Sequence, residues 1–233
     1  MKFLDIDGPF MSLLTAIADM IILNLLTLFF CLPVITAGAA FTALHYVVLK
    51  QVRGDSPYVI RSFFKSFKQN FLQATGIWLF CLIIIGIDAM DIAIIIRNPG
   101  AVPVPVQGAV IAASILVLAV AVYVFPLLAR FENTMAGTVR NALIMAAANL
   151  PRTILMLAIY LFLPALVNMN TSLIPVFILF GFSVPAYMAA RVYSPVFRRY
   201  EPEEEEVPES AWELPDTDGE KEEKTEKSRG RDI

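Results

Sequence analysis

Histidine occurs once and cysteine twice among 233 residues, and charged residues make up only 17%. Each scarcity excludes something. A metal site needs more ligands than one imidazole and two scattered thiols supply. Cys31 and Cys81 both sit inside apolar runs and read as buried thiols, not as a disulfide framework. The sequence also contains no Walker loop, no HExxH, no GxSxG and no dinucleotide fingerprint. Between its apolar runs there are only short polar connections, too short for a soluble catalytic domain. The expectation is a non-enzymatic protein with no catalytic residue, no cofactor and no metal.

What is present is oil. Hydrophobic residues make up 58% of the chain and the mean hydropathy is +0.68, whereas a soluble domain carries roughly 25% charge. The charge is also divided sharply. Residues 201–233 hold 14 acids and 5 bases, which leaves 7 acids and 13 bases in residues 1–200. The overall −3 therefore describes neither part. Residues 1–200 read as a transmembrane domain. Residues 201–233 read as an acidic tail whose Glu203–Glu206 run and prolines cannot bury enough apolar surface to offset the entropy of ordering, so disorder is expected, with Trp212 as its one anchor. The first apolar run lacks a basic start and a small-residue cleavage site, so it is expected to stay in the mature protein.

A membrane helix needs ~20 apolar residues at ~1.5 Å each to cross ~30 Å of hydrocarbon. Leu72 to Ile96 and Val106 to Ala129 each qualify. Thr153 to Ala190 is too long for one span, at ~57 Å, and is expected to turn at Asn168-Met169-Asn170-Thr171-Ser172 into helices of about 15 and 18 residues. Leu13 to Leu49 would extend ~55 Å and is expected to bend or reverse at Leu32-Pro33-Val34-Ile35-Thr36-Ala37-Gly38, where proline removes an amide and glycine tolerates positive φ. Residues 34–49 then span, re-enter or lie buried. The fold class is an all-α polytopic transmembrane bundle of five or six spans, with six preferred.

Basic residues near span ends stay in the cytoplasm. Lys50, Arg53, Arg61, Lys65 and Lys68 fall in one connection, Arg130, Arg140 and Arg152 in a second, and Arg191, Arg198 and Arg199 after the last span, with Arg97 alone opposite them. The carboxyl terminus is therefore expected in the cytoplasm. This topology accounts for the basic connections, and no nucleic-acid partner is needed to explain them.

Polar residues inside spans are the candidate functional positions. Asp88 and Asp91, three apart, share a helix face and are a candidate cation or proton site. Their depth near the far end of the helix makes an ordinary interfacial role the stronger reading. Asp19 and Asn24 are candidate interhelical hydrogen-bonding groups, or with His45 the lining of a polar path. A lone histidine is more often a satisfied interior group. From Arg61 to Phe71, Phe63, Phe64, Phe67 and Phe71 recur at helical spacing with Lys65 and Lys68 between them. Such a helix lies at the headgroup boundary or docks on another protein, the lipid surface being preferred. Thr134 to Leu150 repeats this theme weakly. Pro126, Pro164, Pro175 and Pro185 are expected to kink their helices.

Asn24-Leu25-Leu26, the turn carrying Pro33, Thr36 and Gly38 followed by Thr42-Ala43-Leu44-His45-Tyr46, and Phe63 through Phe71 together resemble the YesL-like family of bacterial membrane proteins, a domain of unknown function. The resemblance extends over residues 1–200. It implies a multi-pass protein of the bacterial inner membrane whose genes neighbour carbohydrate uptake systems of the ABC type. Accordingly, the expected partners are the bilayer and the membrane subunits of such an importer, in an accessory role. An autonomous small transporter or channel is the alternative.

Overall fold

Proline and glycine shape the first reversal of this chain, whereas Pro126, Pro164 and Pro195 lie inside unbroken helices. The computed structural model describes residues 9–55, 58–98, 100 and 102–201, and no strand occurs among them. The helices are α1 (Pro9–Cys31), α2 (Ala37–Val52), α3 (Val59–Arg97), α4 (Val104–Arg130), α5 (Met135–Ala148), α6 (Leu150–Met169), α7 (Ile174–Phe180) and α8 (Ser183–Phe197), with 3-10 turns at Val34–Thr36 and Thr171–Leu173. The acidic tail after residue 201, including Trp212, lies outside the described residues.

The reversal between α1 and α2 uses each residue of its motif. Pro33 has no amide with which to continue α1. The Thr36 hydroxyl lies 2.5 Å from the Phe30 carbonyl and 2.9 Å from that of Pro33, and so covers acceptors that the end of α1 leaves free. The Trp78 indole N–H donates to the Val34 carbonyl at 2.6 Å, which ties the turn to α3. Gly38 then lets two backbones meet. A Cβ at this position would sit 2.5 Å from Cβ of Trp78 and 2.6 Å from the Ala74 carbonyl oxygen. At its far end α2 stops at Gly54, whose φ of 91° is the left-handed region open to glycine.

α2 is the interior element. It packs on α1, α3, α4 and α8, and most of its side chains are buried. Its 16 residues extend only ~24 Å, so residues 34–49 take the buried alternative. Four helices (α1, α3, α4 and α6) are long and apolar enough to cross a membrane, or five if α7 and α8 together make one bent span. Helix length thus supports four or five spans and not the preferred six.

Two further expectations change. The Arg61–Phe71 segment is not a separate surface helix. It is the first third of α3, 39 continuous residues or ~58 Å, with no proline to stop it. Its phenylalanines face inward. Phe63 is fully buried, and Phe30 of α1 packs on Phe63, Phe64 and Phe67 with ring centroids 4.8–5.9 Å apart. Phe71 continues the row at 5.5 Å from Phe67. Arg61, Lys65 and Lys68 occupy the exposed side. The second change concerns Thr153 to Ala190. It turns at Asn170, whose side chain accepts from the Ser172 amide at 3.0 Å, as its polar cluster predicts. The returning stretch, however, is two helices bent by 60°.

Burial is uneven along the bundle. Residues 59–77 of α3, 119–129 of α4 and most of α8 close around α2, and α5 and the start of α6 pack on α4. Phe41, Trp78, Phe125 and Phe182 meet there with centroids 5.6–6.0 Å apart, joining α2, α3, α4 and the α7–α8 junction. Beyond this level the apolar side chains of α3, α4, α6 and α7 face outward, Ile83 being 63% and Met90 68% exposed.

Gly38→Val is expected to lower the unfolding midpoint in mild detergent, because overpacking at a fixed backbone contact costs about 1–3 kcal/mol. Gly86→Ala, with nothing within 4 Å of the added carbon, is expected to leave that midpoint unchanged or slightly raised in the same melt.

Candidate functional site

The strongest polar constraint lies where the α7–α8 stretch breaks. Pro185 has no amide to donate to the Gly181 carbonyl four residues back, and its ring crowds that carbonyl. The ladder opens just ahead of it, at Gly181 and Phe182. Asn24 of α1, fully buried, fills the opening with both ends of its carboxamide. Its oxygen accepts from the amides of Phe182 (2.7 Å) and Ser183 (2.9 Å). Its nitrogen donates to the Ile178 carbonyl at 2.8 Å, with the Phe177 carbonyl at 3.5 Å. A bond from the Phe182 amide to the Ile178 carbonyl is the one an unbroken helix would make; Asn24 stands between the two, a side chain inserted into the i→i−4 ladder.

A second buried polar group is centred on α2. Nδ1 of His45 lies 3.2 Å from the Tyr193 hydroxyl, and Nε2 lies 3.3 Å from that of Tyr160. A neutral imidazole has one donor and one acceptor, so one tyrosine donates and the other accepts. Both ring nitrogens are occupied, leaving the imidazole no free nitrogen for a ligand. Nearby helices add a similar link, in which the Thr153 hydroxyl lies 3.4 Å from that of Tyr123 and 3.0 Å from the Ala146 carbonyl.

The two aspartates of α3 part company. The Ser114 hydroxyl of α4 donates to Asp88 at 2.8 Å, which joins the outer halves of α3 and α4, while Asp91 is exposed. The hydrogen bond to Ser114 is made by one carboxylate of the two. Asp19 differs from all of these. It lines an open groove of ≈ 1080 Å³ between α1, the α2–α3 connection and the α7–α8 junction, and no hydrogen bond or ion pair to its carboxylate occurs among the described residues. Asn24 and His45 do not line that groove. Among the described residues no three His, Cys, Asp or Glu side chains are grouped to hold a metal ion. Cys31 and Cys81 are free thiols.

Sequence reasoning missed the tyrosines that hold His45 and the partners of Asn24. They lie 115 and 148 residues from His45 and 153–159 residues from Asn24, so no local pattern announces them. One signal for the break was available: Gly181 stands four residues before Pro185, where proline removes the only bond that glycine's carbonyl could accept in the ladder.

Residues 20–92 match the family described as "Protein of unknown function, DUF624", and the YesL-like resemblance is consistent with that match. The matched stretch runs from α1 to near the end of α3 and contains Asn24, the Pro33–Gly38 turn, His45 and the phenylalanine row. No curated protein and no solved structure matches the chain.

Asn24→Ala is expected to raise hydrogen exchange at the Phe182 and Ser183 amides about tenfold or more, since each buried group left unpaired costs about 1–3 kcal/mol. Asn24→Asp keeps the acceptor and loses the donor, and should protect these two amides better than alanine does. Equal exchange in all three proteins would show that the carboxamide does not hold the break.

Proposed function

We propose that this membrane protein is a non-enzymatic accessory subunit of the bacterial cytoplasmic membrane, oriented with its basic helix ends and carboxyl terminus inside. In this reading it attaches to a membrane complex through the charged face of α3. The observation that carries the reading is the way that face is held. Arg61, Lys65 and Lys68 are exposed on a helix whose opposite side is locked by Phe63 and Phe67 against Phe30. A row of cations on a stiff support loses little freedom when an acidic partner docks, and charge complementarity then selects the partner. Eleven basic residues against one support the orientation. The YesL-like resemblance makes the membrane subunits of a carbohydrate ABC importer the first partners to test.

A small transporter is the second reading, favoured by the broken α7–α8 stretch and by Asp19 in its groove. Transporters build sites from discontinuous helices. Here the amides and carbonyls at the break are engaged by Asn24, so the feature supports a fixed bend more directly than a ligand site.

Affinity purification from native membranes in mild detergent is expected to recover importer subunits with the wild-type chain. Lys65→Glu with Lys68→Glu, both on the exposed side, should reduce that recovery about tenfold, or ~1.4 kcal/mol, with unchanged thermal stability. A chain that purifies alone, and whose deletion leaves sugar uptake intact, would end the accessory reading. Solute flux in liposomes holding only this protein would favour the transporter.

A further inference from the structure

We propose that the groove lined by Asp19 binds an amphiphilic organic cation, an ammonium headgroup carrying an apolar chain. The inference goes beyond the accessory role and does not rest on it. Three observations converge on the class of ligand.

The first is charge. Residues 1–200 carry 13 bases against 7 acids, yet among the described residues the charged ones that line this groove are both acidic, Asp19 and Asp55. Arg191, on the same helix as Tyr187, is turned to that side chain, its guanidinium donating to the hydroxyl at 3.2 Å and lying 5.1 Å from the ring centroid. The groove is thus an acidic exception at the basic end of the molecule.

The second is the state of Asp19. It is the only charged residue in the 23 residues of α1, half-buried, and without a bonded partner among the described residues. A carboxylate in a span is expensive and is retained where a counter-charge or water meets it. Asn24, Asp88 and His45 all have hydrogen-bond partners; Asp19 has a cavity.

The third is the wall. Met20, Ile22, Phe180 and Val184 give the groove an apolar side, and Tyr58 and Tyr187 add rings and hydroxyls. A volume of ≈ 1080 Å³ lies just above the usual range for small-molecule sites, about 300–1,000 Å³, so it accommodates a chain as well as a headgroup. The exposed Tyr58 ring attracts an ammonium group further, whereas that of Tyr187 already carries Arg191. An anion would meet two carboxylates, and a small hydrated metal ion would leave the apolar wall unused.

The test uses the full chain in phosphatidylcholine nanodiscs, with a diazirine-bearing decyltrimethylammonium photoprobe and peptide mapping of the labelled sites. Saturable labelling of α1 and of residues 180–187 is expected. Unlabelled decyltrimethylammonium should compete at about tenfold lower concentration than decanol, the advantage of an ion pair in a partly desolvated site. Asp19→Asn should abolish that preference, Asp19→Glu should retain it, and recovery of importer subunits should be unchanged in both. A second set of discs carries didodecyldimethylammonium as a bilayer component. Competition from these discs alone assigns the ligand to the membrane, and competition from the added single-chain cation assigns it to solution. Labelling that does not saturate, or that decanol and the cation suppress equally in the wild-type protein, overturns the proposal whether or not the variants fold.

Discussion

One carboxamide decides how the last third of this chain folds. The returning stretch breaks between α7 and α8, and in an apolar surround every freed amide and carbonyl must find a partner within the protein. Asn24 is such a partner, and it comes from α1, at the opposite end of the sequence. The bond set works in both directions. It closes the defect in α7–α8, and it fixes where α1 crosses that defect, so that a largely apolar helix acquires a defined position.

The rest of the packing is arranged around α2, which is too short to cross a membrane and is buried instead. Gly38 brings it against α3, the ring cluster of Phe41, Trp78, Phe125 and Phe182 brings α4 and α8 to it, and His45 bonds to α6 and α8. The outer halves of α3, α4 and α6 are packed far less. In water such exposed isoleucines would drive collapse; beside acyl chains there is no hydrophobic gain from helix contact, and one polar link, Asp88 with Ser114, joins α3 to α4 there. The molecule is tight where polar groups and small residues cluster and loose where lipid is a good solvent.

What could be read from the sequence follows the same division. The apolar runs, the turn at Pro33–Gly38 and the turn at Asn168–Ser172 are local consequences of residue type, and they lie where composition puts them. The reading faltered where a helix was judged by its own pattern. Phe63, Phe64, Phe67 and Phe71 have the spacing of a lipid-facing stripe, and that spacing is equally the pattern of a face buried on Phe30; periodicity gives the face and not what covers it. Residues 34–49 were similarly ambiguous, since apolarity is common to a span and to an interior helix, and only length separates them. At the polar positions the residue types were visible and their partners were not. Asn24 and His45 could be singled out, whereas Ile178, Ser183, Tyr160 and Tyr193 became relevant only through the fold. Asp19 and Asp88 looked alike as acids in spans, and only Asp88 has a hydroxyl across from it.

α3 has one more consequence. At ~58 Å it is roughly twice as long as the ~30 Å hydrocarbon layer is thick, and it has neither a proline nor a break along its length. It is a rod without a joint. Its one unbroken ladder therefore fixes the direction in which the sparsely packed α3–α4 hairpin leaves the core, through the contacts that Phe30 and Gly38 make with its first half.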